Sequence, residues 1–302
     1  MGEVRAGSAI ASAASSKGAG AAGEAVREAA AGLSGAAQLV LAFPSGIAGD
    51  RAASDAHAAA GGAPIVGLTG AGSIAADGAI EVGCSALALG AGVSIGLGLS
   101  RFAGRAPRQA ARHAAAEALS TVGISPEVTL LLLLDTACGD PADAVAGAVD
   151  AAGPRVPLVG GGAGGEDPAQ ILGGNAYRDA VIAVAIRTAR PAGVGYAHGC
   201  VPLESPATVT LSRGVHICEL DDRPAADVYT ERLDCAGMEL SDGEFEALAI
   251  THPIAQQVPG GCRRPRHVIA RGPQGSLACT SHVPQGATID FMQQEPADVV
   301  SS

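Results

Sequence analysis

The chain has 302 residues, of which 65 are Ala and 43 are Gly, so more than a third of its side chains are small or absent. It contains 19 basic and 30 acidic residues, three Tyr, four Phe and no Trp, with a net charge of −11. Because nucleic-acid binding needs a basic face or exposed aromatic rings, this composition argues against a nucleic acid as partner. A mean hydropathy of +0.29, with apolar residues in periodic blocks, argues against a disordered chain.

The hydrophobic segments are too short to cross a membrane. The longest apolar run is Leu130 to Leu134, with Val128 just before it, whereas a membrane helix needs about 20 apolar residues. The start of the chain lacks the hydrophobic core of a signal peptide. The seven Cys residues form no CxxC pair, which favours reduced thiols. We therefore expect a cytoplasmic protein without a membrane partner.

The predicted elements begin after a leader. Residues 1–36 are expected to form a flexible leader, rich in Ala, Gly and Ser, followed by a first helix from Glu24 to Leu33. A βαβ unit comes next, and its strand, helix and strand are predicted at Leu39 to Phe43, Asp50 to Ala60 and Pro64 to Leu68. The second strand enters a glycine-rich turn at Thr69 to Gly72.

The same order of elements recurs farther along the chain. Two strands and a helix are predicted between the copies, at Ala79 to Leu89, Val93 to Leu99 and Pro107 to Val122. A second strand, helix and strand then follow at Thr129 to Leu134, Asp140 to Ala152 and Val156 to Val159. The sequence PIVG at Pro64 matches PLVG at Pro157, which enters the glycine run Gly160 to Gly165. These matches indicate an internal duplication with a repeat of roughly 90 to 100 residues.

The predicted fold is α/β, with a duplicated βαβ-type core of mixed sheets over residues 37–233 and a smaller β-rich C-terminal unit over residues 234–302. The best candidate for a linker between them is Asp234 to Phe245. The other elements of the C-terminal region are a helix at Pro224 to Leu233 and strands at Thr208 to Leu211, Val215 to Leu220, Arg266 to Arg271, Ser276 to His282 and Thr288 to Met292.

The two glycine-rich turns are the first candidate for a binding site. Both follow buried strands, so in an α/β sheet they lie at the carboxyl ends of strands, where ligands usually bind. The N–H groups of bare glycines can hold a carboxylate or a phosphate, although a tight turn in a packed sheet uses the same residues. Neither turn has the pattern of a P-loop or of a dinucleotide site. The candidate ligand-binding residues in the turns are Thr69, Gly70, Gly72, Gly160, Gly161, Gly162 and Gly164.

Four polar residues complete the candidate site. His198 and Cys200 are predicted on one face at the end of a strand, where they could act as a base and a thiol, as metal ligands or as an axial haem ligand. The alternative is a purely structural role. His252 and Arg271 belong to the smaller unit, and the Arg271 guanidinium could bind a ligand carboxylate. We expect the glycine turns to approach each other, with these four side chains as polar walls.

A series of short phrases resembles successive landmarks of the FIST domain over about residues 37 to 295. The phrases are VGLTGAGSI (66–74), PLVGGGAGG (157–165), the segment from 193 to HGC at 198–200, VTLSRGVHICELDDRPAADVY (209–229), HPI (252–254) and VPQG (283–286). The resemblance implies an N-terminal and a C-terminal FIST module that together form a sensory domain for amino acids or related metabolites. The family also has a haem-binding, nitric-oxide-sensing branch, so the resemblance implies this function as an alternative.

The glycine turns depart from the family pattern. The first turn in the family often reads Cys-Ser-Thr-Ala-Gly-Glu, whereas this chain has neither the thiol nor the carboxylate between Leu68 and Ser73. The second often ends in Ala-Gly-Asp, and Gly165 stands here in place of the acid. A ligand that relatives hold through those acidic groups would therefore be held differently in this chain.

These features lead to one principal function and two alternatives. The principal one is a stand-alone sensor in intracellular signal transduction, with a small-molecule ligand and a signalling protein as partner. The first alternative is a haem-binding gas sensor or haem-dependent enzyme in which His198 and Cys200 bind the haem, and the second is an enzyme that uses the same Cys/His pair. The sequence holds no complete catalytic constellation. We therefore predict no catalytic residue, no metal site and no cofactor other than haem as the alternative.

Overall fold

The structure is a computed structural model that describes residues 11–75, 78–135, 140–195, 198–203, 206–235, 237–238, 240–260 and 263–294. The chain forms two compact units, Met1–Val194 and Gly195–Ser302, which we call unit 1 and unit 2. This division lies after Val194, whereas the sequence interpretation begins the C-terminal unit at residue 234.

Unit 1 alternates helices with short strands. Its strands are β1 (Ala11–Lys17), β2 (Leu39–Ser45), β3 (Ile65–Leu68), β4 (Ser73–Ala75), β5 (Gly78–Ile80), β6 (Gly83–Leu89), β7 (Ser94–Arg101), β8 (Val128–Asp135), β9 (Leu158–Ala163), β10 (Gln170–Leu172), β11 (Asn175–Tyr177) and β12 (Ala180–Arg187). Its helices are α1 (Ala21–Ala31), α2 (Gly49–Ala59), α3 (Pro107–Val122) and α4 (Pro141–Ala152), with a short 3-10 helix at Ala103–Arg105.

Two repeats with the same strand order form unit 1. Repeat 1, residues 11–89, has the order β1-β6-β2-β3, and repeat 2, residues 94–187, has the order β7-β12-β8-β9. In each repeat the last two strands are parallel and are joined by a helix, α2 or α4, so both predicted βαβ units are present. The β10–β11 hairpin of repeat 2 adds to the sheet of repeat 1 by antiparallel pairing of β10 with β3. The predicted duplication is thus confirmed in the topology.

Small residues allow unit 1 to pack as four layers. Helices α1 and α2 cover one face of the first sheet through alanines such as Ala25 and Ala52. Helices α3 and α4 cover one face of the second sheet in the same way. The two remaining sheet faces meet in a core of larger side chains that includes Leu41, Leu133 and Ile182. Helices on the outside and sheets on the inside leave the loops at the strand ends free to build sites.

The N-terminal segment is more ordered than the predicted flexible leader. Residues 11–17 form β1, which pairs with β6 from Ala11 opposite Leu89 to Lys17 opposite Gly83. Ala and Ser have low strand propensity, so this strand is stabilised by its partner and not by its own sequence. Residues 1–10 lie outside the described residues.

Strand β9 is longer than the predicted strand at Val156 to Val159. It continues through Gly160, Gly161 and Gly162, which pair with β8 from Leu132 to Leu134. Three of the glycines assigned to the second turn therefore lie in an edge strand. The pairing with β8 continues in register past Val159, the last β-branched residue of the strand.

Unit 2 is smaller and mostly β. Its strands are β13 (Cys200–Pro202), β14 (Ala207–Arg213), β15 (His216–Leu220), β16 (Arg223–Pro224), β17 (Ile254–Gln257), β18 (Arg263–Arg266), β19 (Val268–Arg271), β20 (Leu277–Cys279) and β21 (Thr288–Gln294). Its helices are α5 (Ala225–Arg232) and α6 (Asp242–Thr251), with a 3-10 helix at Pro273–Gly275. The main sheet has the order β18-β17-β21-β14-β15-β20-β19, with β13 on β21 and β16 on β15. Its core holds three aromatic rings, those of Tyr229, Phe245 and Phe291.

Two sequence expectations for this region are wrong. Helix α6 begins at Asp242, inside the expected linker, where Ser241 and Glu244 form a capping box. The strand predicted to lead up to His198 is not formed by the described residues, and β13 instead begins at Cys200. Pro191, Gly193 and Gly195 weaken a strand at this place, and residues 196–197 lie outside the described residues.

The helices of both units are short or only partly apolar. Among the described residues, no helix has the length and hydrophobicity that crossing a lipid bilayer requires.

Candidate functional site

Thr69 joins the two glycine-rich segments of unit 1. Its N–H donates to the Ala169 carbonyl at 3.0 Å, and its Oγ1 accepts from the Ala169 N–H at 2.8 Å. The same hydroxyl lies 3.1 Å from the Gly164 carbonyl, to which it donates, and the Gly164 N–H donates to the Thr69 carbonyl at 2.9 Å. Thr69 is 5% exposed, so these bonds replace water. The expected approach of the two segments is therefore confirmed, with Gly164 and Ala169 as the contacts.

An open cleft of about 660 Å³ lies at this junction. Small-molecule pockets usually measure about 300–1,000 Å³, so the cleft has the size of a ligand site. Its walls are the connection between β2 and α2, the turn after β3, the residue after β5 and the segment after β9. The lining residues are Gly46, Ile47, Ala48, Thr69, Gly70, Ala71, Glu81, Gly164, Gly165, Glu166 and Asp167.

Helix α2 begins beside the cleft, and Asp50 is the acidic residue of its first turn. Ala48 is the N-cap of α2, and no side chain there accepts a hydrogen bond from the helix. The first N–H groups of a helix lack partners within the helix and carry partial positive charge. Gly46 allows the close approach, since its φ is +63° and a Cβ would lie 2.9 Å from the Glu81 carbonyl oxygen. The start of α2 is therefore suited to an anionic group beside the cleft.

Carboxylates line the same cleft. Asp167 is bound by Arg178, whose Nε lies 2.8 Å from Asp167 Oδ1, and this hydrogen bond lowers the pKa of the Asp167 carboxyl. Arg178 also lies 3.6 Å from a carboxylate oxygen of Asp50 in α2. Glu81 and Glu166 are exposed, and neither forms an ion pair with another described residue. The cleft thus borders an uncapped helix start and holds carboxylates that can receive a cation.

Only part of the predicted glycine set lines the cleft. Thr69, Gly70 and Gly164 do so. The other four predicted positions lie elsewhere, one in the turn before β4 and three in β9: Gly72, Gly160, Gly161 and Gly162.

His198 and Cys200 lie in unit 2, at the start of β13 and not at the end of a strand. The Cys200 N–H donates to His198 Nδ1 at 3.0 Å, and the thiol donates to the His198 carbonyl at 3.3 Å. The Gln294 side-chain amide donates to the same carbonyl at 3.2 Å. Burial raises the pKa of the Cys200 thiol, whereas a nucleophile or a thiolate ligand needs a lowered pKa. These contacts are those of a hydrogen-bonded turn.

His252 and Arg271 also lie in unit 2, and both contact α6. His252 follows the last residue of this helix, and its Nδ1 lies 3.1 Å from the Leu248 carbonyl oxygen. Arg271 donates to the Leu240 carbonyl, and its guanidinium carbon lies 4.9 Å from the centroid of the Phe245 ring. Arg271 therefore already stabilises the start of α6 through polar and cation–π contacts.

The described residues give no support for a haem or a metal site. An open cavity of about 460 Å³ in unit 2 is lined by His252 but not by His198 or Cys200, and charged residues such as Glu231 and Arg232 line it. Haem needs an apolar pocket with an available axial ligand. Within the part of the chain that the structure describes, no group of three or more His, Cys, Asp or Glu could hold a metal ion.

Sequence reasoning missed eight of the eleven cleft residues, and three of these bear on the chemistry of the cleft. Glu166 follows Gly165 directly, so the acid that the family places at the end of the second turn is present one residue later, and this signal could have been found. Ala48 could have been found because it stands at the N-cap position of helix α2 and its side chain cannot cap that helix. Glu81 gave no local signal, because it reaches the cleft only through the pairing of β6 with β2.

Comparison with known proteins places this chain in a class of ligand-binding domains. The sequence matches the FIST N domain over residues 7–223, and the chain therefore belongs to the FIST family. This assigns it, at a coarse level, to signal transduction and small-ligand binding. The match does not include a FIST C module, which stays a prediction for the rest of the chain.

The other comparisons add little. The comparison with curated proteins found no match. A cyanuric acid hydrolase from A. caulinodans is a similar solved structure, with 11% identity and a TM-score of 0.32, and the alignment covers 67% of this chain and 73% of that chain. A likeness at that TM-score carries no functional argument.

Proposed function

We propose that this chain is a sensory domain of signal transduction that binds an amino acid or a related zwitterionic metabolite in the cleft at Thr69. The observation that carries this proposal is that both glycine-rich segments meet at one cleft, which holds carboxylates and borders the uncapped start of α2. We further propose that a signalling protein is the partner that receives the signal.

The two kinds of charge match the two ends of an amino acid. The uncapped start of α2 at Ala48 would receive the carboxylate, because helix N–H groups bind anions. Glu81 and Glu166 would receive the ammonium group, because each is a carboxylate without an ion pair among the described residues. Glycines and alanines at the floor leave room for the side chain of the ligand.

Isothermal titration against the twenty amino acids, their 2-oxo acids and the corresponding amines tests this function. We expect at least one amino acid to bind. The 2-oxo acid lacks the ammonium group and the amine lacks the carboxylate, so each should bind about tenfold or more weakly, which corresponds to roughly 1.4 kcal/mol or more. The absence of binding by any compound in the panel would reject amino acids as the ligand class.

Two pairs of variants locate the binding in the cleft. Ala48→Leu places a larger side chain in the cleft and should abolish binding, whereas Ala91→Leu changes an exposed residue in the turn before β7 and should not. Glu81→Gln removes one cleft carboxylate and should weaken amino-acid binding, whereas Glu28→Gln does the same on the exposed face of α1 and serves as its control. Equal affinities for both members of each pair would place the ligand outside the cleft.

A further inference from the structure

A second concave site lies in unit 1, away from the glycine segments. It is a cavity of about 630 Å³ between the end of β7, the 3-10 helix and the first turns of α3. Its lining includes Arg101, Arg105, Arg112 and His113 and contains no acidic residue, although the chain has a net charge of −11. Such a local reversal of charge favours an anion.

The arginines at this cavity are not in close ion pairs with other described residues, although the charge of Arg112 acts on the Asp150 carboxylate and, after the hydrogen bond from Arg108, helps to lower its pKa. Within the described part of the chain, Arg101, Arg105 and Arg112 form no ion pair with a carboxylate. The neighbouring Arg108 differs, because its Nε lies 2.8 Å from Asp150 of α4. Three guanidinium groups with free donors can bind the oxygens of a phosphate through paired hydrogen bonds.

Phe102 supplies an exposed aromatic face at the same place. It lines the cavity, its side chain is 65% exposed, and the Arg101 guanidinium carbon lies 5.6 Å from its ring centroid. Its φ of +62° lies in the left-handed region, which a phenylalanine rarely adopts. Backbone strain of this kind persists only where the surroundings hold it, and it is concentrated at functional sites.

Asp179 holds the strained segment from the other side. Its carbonyl accepts from the Ala103 N–H at 3.1 Å, and its Oδ1 accepts from the Gly104 N–H at 2.6 Å. The Asp179 N–H in turn donates to Asp135 Oδ2 at 2.8 Å. The ring of Phe102 is thus presented on a fixed backbone, which reduces the entropy that a ligand must remove on binding.

The equivalent place in repeat 1 has none of these features. The connection between β1 and α1 is Gly18 to Gly20, without an aromatic or an arginine, and Glu24 lies in the first turn of α1. Ser16 donates to Glu24 at 2.6 Å, so this end of repeat 1 is closed by its own residues. The basic and aromatic lining is therefore an addition to repeat 2 and not a requirement of the duplicated fold.

We propose that the cavity at Phe102 binds a nucleotide, with its base against the Phe102 ring and its phosphates on Arg105 and Arg112. The volume suits one small molecule, and the site joins the two recognition elements that a nucleotide needs, a π-face and guanidinium donors. This proposal does not depend on the amino-acid site, because none of the residues that line the one cavity lines the other.

Isothermal titration of the full chain with ATP, AMP, pyrophosphate, inorganic phosphate and adenosine tests the proposal. We expect ATP and AMP to bind and to bind more weakly as salt is added, with the phosphates alone and adenosine about tenfold or more weaker. Binding of pyrophosphate as tight as that of AMP would overturn the nucleotide assignment. So would the absence of nucleotide binding at millimolar concentration, or binding of an acidic phosphopeptide alone.

Variants separate the parts of the site. Arg112→Ala should weaken the affinity for ATP by about tenfold or more. Arg108→Ala should not, because Arg108, four residues away, is paired with Asp150. Phe102→Ala should weaken the affinity for AMP and leave the affinity for pyrophosphate unchanged. Circular dichroism should show that the Phe102→Ala and Arg112→Ala variants are folded, because both side chains are exposed. Equal loss in Arg108→Ala and Arg112→Ala would indicate a general charge effect and reject the site.

Ala48→Leu should leave ATP affinity unchanged, and Arg112→Ala should leave amino-acid affinity unchanged.

Discussion

Helices α2 and α4 occupy the same position in the two repeats, yet they begin in opposite ways. In α4, the Asp140 side chain accepts a hydrogen bond from the Ala142 N–H at 2.9 Å and closes the helix end. In α2, the corresponding residue is Ala48, and the open helix end borders the cleft. The difference shows that the duplicated scaffold does not require an open helix end. We therefore connect the open end of α2 with ligand binding and the closed end of α4 with stability.

The hairpins of the two repeats differ as well. In repeat 1, β4 and β5 pair only with each other in a small sheet. In repeat 2, β10 pairs with β3 of repeat 1 and brings residues 164–169 against Thr69. The duplication therefore builds one asymmetric junction, and this junction carries the cleft.

The largest effect should come from a position that the two repeats share. Gly67 and Gly160 end the matching sequences PIVG and PLVG, and a Cβ there would lie 1.8 Å from the Ala42 carbonyl oxygen and 1.9 Å from the Leu132 carbonyl oxygen. Gly67→Ala and Gly160→Ala should each lower the free energy of unfolding by about 3 kcal/mol or more, because a backbone atom cannot move aside. Chemical denaturation measures this change.

Gly161→Ala provides the control for that experiment. A Cβ at Gly161 would meet only a Leu68 methyl group at 3.9 Å, so its unfolding curve should stay close to that of the wild type. Similar losses in Gly160→Ala and Gly161→Ala would show that the shared glycine is not a packing requirement.

The junction between the repeats should give the next largest effect. Thr69→Val keeps the shape but removes the hydroxyl that accepts from the Ala169 N–H. A buried N–H without a partner costs about 1–3 kcal/mol, and the displaced segment should also weaken ligand binding. Thr69→Ser keeps the hydroxyl and should retain most of both properties. A Thr69→Val protein with wild-type stability would mean that the hydrogen bonds contribute nothing to the junction.

The sequence predicts the layers of this fold better than its sites. Apolar runs such as Leu130 to Leu134 and the repeated PIVG and PLVG fix the buried strands, because burial on both faces leaves a continuous apolar signal. Strand β1 was missed because its alanines and serines carry no such signal. Helix α6 was missed although Ser241 and Glu244 form a recognisable capping box.

The site could be predicted only in part. The approach of the glycine segments follows from the duplication, because equivalent strand ends lie at equivalent edges. The role of Ala169 and the place of Glu81 depend on pairings between distant strands, which no local pattern records. His198 and Cys200 were predicted as functional residues because of their residue types, but the hydrogen bonds of Cys200 are to His198, two residues away.

The two helix caps should give a smaller effect on stability. Asp140→Ala removes the capping bond of α4 and should lower the free energy of unfolding by about 1 kcal/mol. Its ligand affinity should stay at the wild-type value, because Asp140 does not line the cleft. Thermal unfolding and titration calorimetry on the same preparation measure both. Loss of ligand binding in this variant would remove the functional distinction between α2 and α4.

The thiols should show the smallest effect, a difference in reaction rate. Burial raises the pKa of Cys84 to about 11 and that of Cys279 to about 12, and it also raises the pKa of Cys200. Iodoacetamide near neutral pH should therefore not label Cys200 preferentially, and it should label the buried Cys84 and Cys279 more slowly than Cys200. Preferential labelling of Cys200 would favour the enzyme alternative.

The same thiols predict an alkaline loss of stability. A raised pKa in the folded state stabilises the protein below the unfolded thiol value of about 8.5, and this contribution is lost as the pH rises through about 11 for Cys84. The melting temperature should fall as the pH rises from about 8.5 to about 11. The fall should be smaller in a Cys84→Ala variant. A fall of equal size in both proteins would assign the alkaline loss to other groups.

The most direct test of the ligand site is a single titration of Ala48→Asp with an amino acid that binds the wild type. The new carboxylate would cap α2 and occupy the N–H groups that we assign to the ligand carboxylate. We predict that the free energy of unfolding rises, by about 0.5 kcal/mol or more, while the affinity for the amino acid falls about tenfold or more. An Ala48→Asp protein that binds the amino acid as tightly as the wild type would contradict the proposed site.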